Sequence, residues 1–191
     1  LEIESNNFGA NYLLGTLFAQ TKKLQEAKIL LRKALQVDPN YADAHYNLGN
    51  VLTELEEIQE AIICFEKAIS INPKNADANN NLGNLFKKIG KIMEAENLYK
   101  KAIEINPNYA NAYNNLGAIF QKYKNFQEAI KFYKKTIELD PNFASAYNNL
   151  GIISYEVDEH KNAINYYEEA IKLKPDYAEA YNNLGKVYKV L

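Results

Sequence analysis

Apolar and small residues recur along the chain with the spacing of an amphipathic helix. In the stretch that begins at Ala110, placing successive residues 100° apart puts six of them on one face: Ala112, Tyr113, Leu116, Gly117, Ile119 and Phe120. A second apolar stretch begins at Phe126 and stops at Asp140-Pro141, where proline disfavours a helical residue before it. The pattern predicts two consecutive amphipathic helices joined by a short turn.

The same pair of stretches returns at a fixed interval of 34 residues. The five prolines follow this period: Pro39, Pro73, Pro107, Pro141 and Pro175. Six of the eight glycines follow it too: Gly15, Gly49, Gly83, Gly117, Gly151 and Gly185. Because two residue types that punctuate structure share one period without a slip, the chain is a tandem repeat.

Position 1 of the repeat is set at Phe8, which divides the chain into seven segments. Residues 1–7 are the end of a preceding repeat, and the five complete repeats, numbered 1 to 5, span 8–41, 42–75, 76–109, 110–143 and 144–177. Residues 178–191 are the first helix of a sixth repeat, either a cap or a truncated repeat. The apolar face of this last helix (Leu184, Val187, Tyr188, Leu191) has no second helix of its own, so we expect the chain to be a segment of a longer array. A solvating end helix is the alternative.

Two positions of the second helix indicate a family. Position 20 is always alanine: Ala27, Ala61, Ala95, Ala129 and Ala163. Position 24 is large and mostly aromatic: Leu31, Phe65, Tyr99, Tyr133 and Tyr167. With Leu at position 7, Gly at 8 and Pro at 32, this pattern resembles the tetratricopeptide repeat, whose period is 34 residues. The resemblance implies an all-α solenoid of helix-turn-helix repeats, stacked into a right-handed superhelix with a concave groove.

The chain departs from the family pattern at two positions. Position 4 is Asn11, His45 and Asn79 in the first three repeats, where the family favours an aromatic residue, and position 11 of repeat 5 is the small Ser154. We therefore expect the first repeats to pack less tightly.

Asparagines line the face of the first helices opposite the apolar stripe. Position 6 is Asn47, Asn81, Asn115, Asn149 and Asn183; position 5 adds Asn80, Asn114 and Asn148; position 9 adds Asn50 and Asn84. An amide side chain offers a donor and an acceptor, which complement those of a peptide backbone. The row resembles the asparagine-lined superhelix of O-GlcNAc transferase and predicts a peptide-binding groove, interrupted at Leu13. Contacts between helices, or solubility alone, are the alternative interpretation.

Other groove positions would add selectivity. The candidate aromatic anchors are Tyr12, Tyr46 and Tyr155. The candidate cations for a ligand with a central acidic residue are Lys87, Lys88 and Lys122. Solvated charges are the alternative. A clamp for acidic chaperone tails is excluded, because that member of the family needs Lys at positions 2 and 5 and this chain has none there.

Composition narrows the function classes. There are 22 Lys and Arg against 24 Asp and Glu, for a net charge of −2, so neither a nucleic-acid surface nor a membrane surface is expected. One cysteine, Cys64, allows no intramolecular disulfide and no cysteine-based zinc site, and the two histidines, His45 and His160, leave little room for metal chemistry. His45 and His160 fall at packing positions, and no catalytic motif is present, so we expect no cofactor and no enzymatic activity in this segment. Localisation is expected to be cytoplasmic.

Three functional hypotheses follow. The first is a protein-interaction scaffold that binds an extended peptide or partner segment in the groove. The second is the substrate-recruiting arm of a larger enzyme such as a glycosyltransferase, suggested by resemblance. The third is a structural array that self-associates end to end.

Overall fold

The computed structural model describes residues 7–190 of the chain, which form eleven α-helices and no strand. The first helices of the repeats are α1 (Phe8–Gln20), α3 (Ala42–Glu54), α5 (Ala76–Lys88), α7 (Ala110–Lys122), α9 (Ala144–Glu156) and α11 (Ala178–Tyr188). The second helices are α2 (Leu24–Val37), α4 (Ile58–Ile71), α6 (Ile92–Ile105), α8 (Phe126–Leu139) and α10 (His160–Leu173). Of the predicted end of a preceding repeat, residues 1–6 lie outside the described part of the chain, as does Leu191.

Each helix pair is joined by a three-residue turn whose middle residue is left-handed. This residue stands at position 15 and has φ of 62° at Lys22, 60° at Glu56, 84° at Gly90, 57° at Lys124 and 61° at Asp158. Only glycine adopts this conformation without steric cost. Repeat 3 therefore carries the best residue for the turn, and the other four carry a strained one.

We expect Lys124→Gly to raise the free energy of unfolding by about 0.5–1 kcal/mol, because it removes the left-handed strain of a side chain that forms no ion pair among residues 7–190. Chemical denaturation checks this. Gly90→Ala is the reverse change at the same position, and it should lower stability by a similar amount. Equal midpoints for all three proteins would contradict the assignment of strain.

Four of the five second helices, α2, α4, α6 and α8, end at a repeated Asx-Pro turn. The side-chain oxygen at position 31 accepts a hydrogen bond from the backbone N–H two residues later, at 3.0 Å for Asp38 and Asn40 and at 3.2 Å for Asn72 and Lys74. The intervening proline cannot continue the helix. Repeats 3 and 4 use the same turn, with Asn106 and Asp140 as acceptors.

Two compact units make up the chain, Leu1–Ile105 and Asn106–Leu191. In the N-terminal unit, each first helix packs on its own second helix, α2 packs on α3, and α4 packs on α5, while α1, α3 and α5 lie side by side. The core between them contains Leu31, Leu52, Phe65 and Leu85. An isolated helix pair could not bury these residues, so stacking supplies the core.

The C-terminal unit repeats this arrangement with α7 to α11. Tyr133 and Ile153 are fully buried between α8 and α9. At the end of the unit, Val187 of α11 is buried against Ala163 and Tyr167 of α10, and Leu184 is half-buried there. The apolar face assigned to α11 is thus partly covered, although Tyr188 stays 56% exposed.

The loosening expected of the first repeats is not seen at Asn79, one of the three residues that prompted it. Asn79 is 1% exposed, and its Nδ2 donates to the carbonyl of Asn75 at 2.9 Å. An amide can replace an aromatic ring here because the backbone oxygen that precedes the helix satisfies it. Ser154 is also buried.

No helix between residues 7 and 190 combines the length and apolarity that crossing a membrane requires.

Candidate functional site

Asparagines of neighbouring first helices face one another within each unit. We call them the amide row: Asn47, Asn50, Asn81 and Asn84 in the N-terminal unit, and Asn114, Asn148, Asn149 and Asn183 in the C-terminal unit. Wherever a pairing is described, the Nδ2 at position 6 donates to a side chain of the preceding first helix. The row therefore links consecutive repeats.

In the N-terminal unit these bonds join α1, α3 and α5. Asn47 Nδ2 lies 3.3 Å from the hydroxyl of Tyr12 and 3.2 Å from that of Thr16, and Asn81 Nδ2 donates to Asn50 Oδ1 at 2.9 Å. The bond from the Tyr99 hydroxyl to Asn84 Oδ1, at 2.8 Å, ties the row to the buried ring of α6. The row is thus bonded both to the neighbouring first helices and to the second helix α6.

In the C-terminal unit the bonds join α7, α9 and α11. Asn149 Nδ2 lies 3.5 Å from Asn114 Oδ1, and Asn183 Nδ2 donates to Asn148 Oδ1 at 3.2 Å. Asn183 Oδ1 in turn accepts from Lys186 Nζ at 3.1 Å. The acceptor at position 9 in the N-terminal unit is replaced here by an acceptor at position 5.

Two amides of the row keep a side-chain oxygen that no residue between 7 and 190 occupies. They are Asn47 and Asn149, both half-buried. The corresponding oxygen of Asn81 accepts from Asn80 at 3.3 Å. Asn47 and Asn149 therefore present fixed acceptors, each held in place through its own nitrogen.

The interpretation that the whole asparagine face lies outside the core is wrong for three residues. Asn80 is 4% exposed, Asn148 0% and Asn183 9%. They are buried because neighbouring first helices lie side by side, which covers part of the face that a single helix leaves open. Asn115 is half-buried on α7, as is Asn114.

Small polar cavities open along the row in both units. One of 320 Å³ is lined by Asn50, Asn81, Asn84 and Phe65, and one of 250 Å³ by Thr16, Asn47 and Asn50. Both also contact Glu54, which forms an ion pair with Lys22 at 2.7 Å. A cavity of 390 Å³ lies beside Asn183 in the C-terminal unit.

A larger cavity of 610 Å³ lies away from the row, against α8. Tyr113, Ile130 and Phe132 are among its apolar lining residues, and Lys131, Lys134 and Lys135 are among its charged ones. No residue of the amide row lines it.

The remaining sequence candidates lie at different places. Tyr46 is half-buried, with its ring centroid 6.0 Å from that of Phe65, so it contributes to packing. Lys88 is exposed and lies 3.9 Å from Glu56. Lys122 is exposed at the end of α7.

No site for acid–base or metal chemistry is formed by the histidines and the cysteine. His45 Nε2 lies 2.9 Å from the carbonyl of Pro39, and His160 is the half-buried first residue of α10, 5.6 Å from the Tyr155 ring. Burial and the nearby Glu60 raise the pKa of the Cys64 thiol to about 11, against the opposing effect of Arg32. Within residues 7–190, no cluster of His, Cys, Asp and Glu could hold a metal ion.

Sequence reasoning placed Tyr12 in the groove but missed the hydrogen bonds that hydroxyl groups make with the row. Thr16 and Tyr12 accept from Asn47, and Tyr133 donates to Gln121 at 2.6 Å just as Tyr99 donates to Asn84. A polar residue at position 9 or 12 above a tyrosine at position 24 is the signal that could have revealed the last two contacts.

Comparisons with known proteins agree with this architecture. Two models described as tetratricopeptide repeat match residues 42–75 and 110–143, and 64–97 and 132–165, respectively. A model described as TPR repeat matches residues 15–55, 83–123 and 155–190. No curated protein matches the chain in sequence.

Three solved structures illustrate the likeness. MamA is 25% identical with a TM-score of 0.74, covering 86% of this chain and 96% of its own. YrrB, described as a TPR protein with an unusual peptide-binding site, is 26% identical with a TM-score of 0.73, covering 100% and 95%. The protein pilF of Pseudomonas aeruginosa is 26% identical with a TM-score of 0.85, covering 96% and 83%. The predicted fold class, an all-α array of helix-turn-helix repeats, is confirmed.

Proposed function

Because the chain belongs to the tetratricopeptide repeat family, we propose that it is a protein-interaction scaffold whose first helices, in each unit, hold extended segments of partner proteins against the asparagines of the amide row. Arrays of this repeat typically act as non-catalytic interaction modules. The description of YrrB as a peptide-binding protein of this family supports the same class of ligand.

The observation that carries the proposal is the pair of unoccupied oxygens on Asn47 and Asn149. Each amide is fixed through its nitrogen, so its Oδ1 can accept a peptide N–H with little further loss of side-chain freedom. A hydrogen bond of this kind contributes about 0.5–1.5 kcal/mol net. Backbone recognition alone therefore gives weak and unselective binding, and selectivity has to come from neighbouring pockets.

The test uses peptides selected from a random library on the wild-type chain. In the Asn47→Ala/Asn149→Ala variant we expect peptides held by either unit to bind about 2- to 13-fold more weakly, which corresponds to one lost hydrogen bond in each unit. Fluorescence anisotropy with the labelled peptides measures the change, and each single variant is assayed as well.

Two asparagines on the exposed face of the second helices provide the control. Asn97→Ala/Asn165→Ala removes the same number of amides without touching the row, and it should bind as the wild type does. Because the row also links helices, the melting temperature of every variant is compared first. Unchanged affinity in a folded Asn47→Ala/Asn149→Ala variant would rule out backbone recognition by these amides.

A further inference from the structure

The cavity beside Asn183 differs from the others of the row in its lining. Tyr155 and Ile152 of α9 and Tyr167 of α10 contribute its apolar surface, and Glu156 and Glu179 contribute carboxylates. We call this 390 Å³ cavity the Tyr167 pocket. Its volume falls within the range of about 300–1,000 Å³ that is typical of ligand sites.

The hydroxyl of Tyr167 is the unusual group in this pocket. The side chain is 1% exposed, yet it makes no hydrogen bond within the described part of the chain. The equivalent hydroxyl donates to Asn84 in repeat 3 and to Gln121 in repeat 4. Repeat 5 carries Ile152 and Tyr155 at those two positions, so the internal acceptor is missing and the hydroxyl lies open to the pocket.

The charges around this hydroxyl are mainly negative. Glu156 and Glu179 are exposed and form no ion pair with any residue from 7 to 190. They lie close enough that, after burial and Tyr155, they add to the upward shift of the Tyr167 pKa. Lys186 also lines the pocket, but its ammonium is bonded to Asn183 Oδ1 at 3.1 Å. The formal charge of the lining is therefore −1, with both carboxylates unpaired.

We propose that the Tyr167 pocket binds a cationic side chain, arginine or lysine, of the partner segment that the amide row holds. The carboxylates of Glu156 and Glu179 neutralise its charge, and the Tyr167 hydroxyl accepts one of its N–H groups. The ring of Tyr155 packs against the cation, as aromatic faces do with guanidinium groups. This assignment rests on the proposed function and adds a chemical preference that the amides cannot supply.

The experiment isolates the side chain from the backbone contacts. N-acetyl-arginine amide and N-acetyl-citrulline amide are titrated into the full chain and followed by heteronuclear NMR. Citrulline has nearly the same shape as arginine but no charge. We expect the arginine amide to shift signals of α9, α10 and α11 around the pocket, and the citrulline amide to bind about tenfold more weakly or not at all. Equal binding of the two probes would overturn the proposal.

Two variants locate the site. Glu156→Gln/Glu179→Gln should remove the preference for arginine, whereas Glu66→Gln/Glu168→Gln changes the net charge equally on exposed positions of α4 and α10 and should leave it intact. Ile152→Asn places an amide where Asn84 lies in repeat 3, so it should occupy the Tyr167 hydroxyl and weaken arginine binding. Wild-type binding in the folded Glu156→Gln/Glu179→Gln variant would place the cation elsewhere and refute the assignment.

The outcomes separate this inference from the proposed function. If the selected peptides lose affinity in the Asn47→Ala/Asn149→Ala variant but arginine and citrulline amides bind alike, the amide row stands and the pocket assignment fails. If the arginine amide binds the pocket while the selected peptides bind the Asn47→Ala/Asn149→Ala variant with wild-type affinity, the pocket assignment stands and backbone recognition fails.

Discussion

Gly151→Ala is expected to destabilise the C-terminal unit by about 1–3 kcal/mol, although alanine is the better helix former. A Cβ at this position would lie 2.5 Å from Cε1 and 2.7 Å from Cδ1 of Tyr167. Tyr167 is 1% exposed and packs against Ala163 and Val187, so a shift of the ring would disturb these contacts. Guanidinium denaturation monitored by circular dichroism measures the loss.

Gly185→Ala provides a control at the same repeat position. A Cβ there would meet nothing within 4 Å, so the substitution should be neutral or stabilise by up to about 1 kcal/mol through helix propensity. The prediction depends on one difference between the two sites: Gly151 lies against the Tyr167 ring of α10, and Gly185 faces no such ring in the described part of the chain. If both substitutions changed stability equally, the ring would not be what excludes a side chain at position 8.

The second large effect is a steep loss of stability in alkaline solution. Burial raises the pKa values of Tyr99, Tyr133 and Tyr167 above the ordinary 10.0, because the phenolate would lose its hydration. The folded state thus favours the protonated form. The associated stability is fully present below pH 10 and falls by about 1.4 kcal/mol per pH unit for each tyrosine above it. Tyr99 gives the N-terminal unit a slope of about 1.4 kcal/mol per pH unit, and Tyr133 with Tyr167 gives the C-terminal unit about 3 kcal/mol per pH unit, measurable from urea midpoints on either side of pH 10.

The chain itself suggests the matched variant. Phe65 occupies position 24 in repeat 2 and is fully buried, so phenylalanine fits where the three tyrosines stand. The triple Tyr→Phe variant should lose most of the alkaline slope while it costs about 1 kcal/mol at neutral pH for each of the bonds to Asn84 and Gln121. Tyr123→Phe, at a side chain that is 63% exposed, serves as control. A triple variant that kept the wild-type slope would show that other groups cause the alkaline loss.

The helix pairs were predictable because their determinants are local. Proline at position 32 ends each second helix, and the 3.6-residue spacing of residues such as Leu116 and Ile119 marks the buried face. The recurrence of glycine at position 8 and of a large residue at position 24 in all five repeats also indicated close packing of the two helices. Such signals act within one repeat, so a single sequence reveals them.

The hydrogen bonds of the amide row depend instead on the distance between neighbouring first helices. A helical wheel places Asn148 and Asn149 on the outer face, but it does not show that α11 covers Asn148 or that α7 accepts from Asn149. That the Tyr167 hydroxyl has no hydrogen-bond partner in the described part of the chain could in principle have been inferred from the sequence. It needed the pairing of position 24 with positions 9 and 12, which Asn84 and Gln121 reveal only in three dimensions.

The amide row has a mechanical consequence. Pulling two neighbouring first helices of a unit apart requires breaking a side-chain hydrogen bond of the row as well as the apolar contacts between the helices. Each bond adds about 0.5–1.5 kcal/mol to the work of separating the two helices, and it does so over a short extension. Asn149 to Asn114, at 3.5 Å, is the longest and so the weakest of these amide-to-amide links, whereas Asn81 to Asn50, at 2.9 Å, is the shortest.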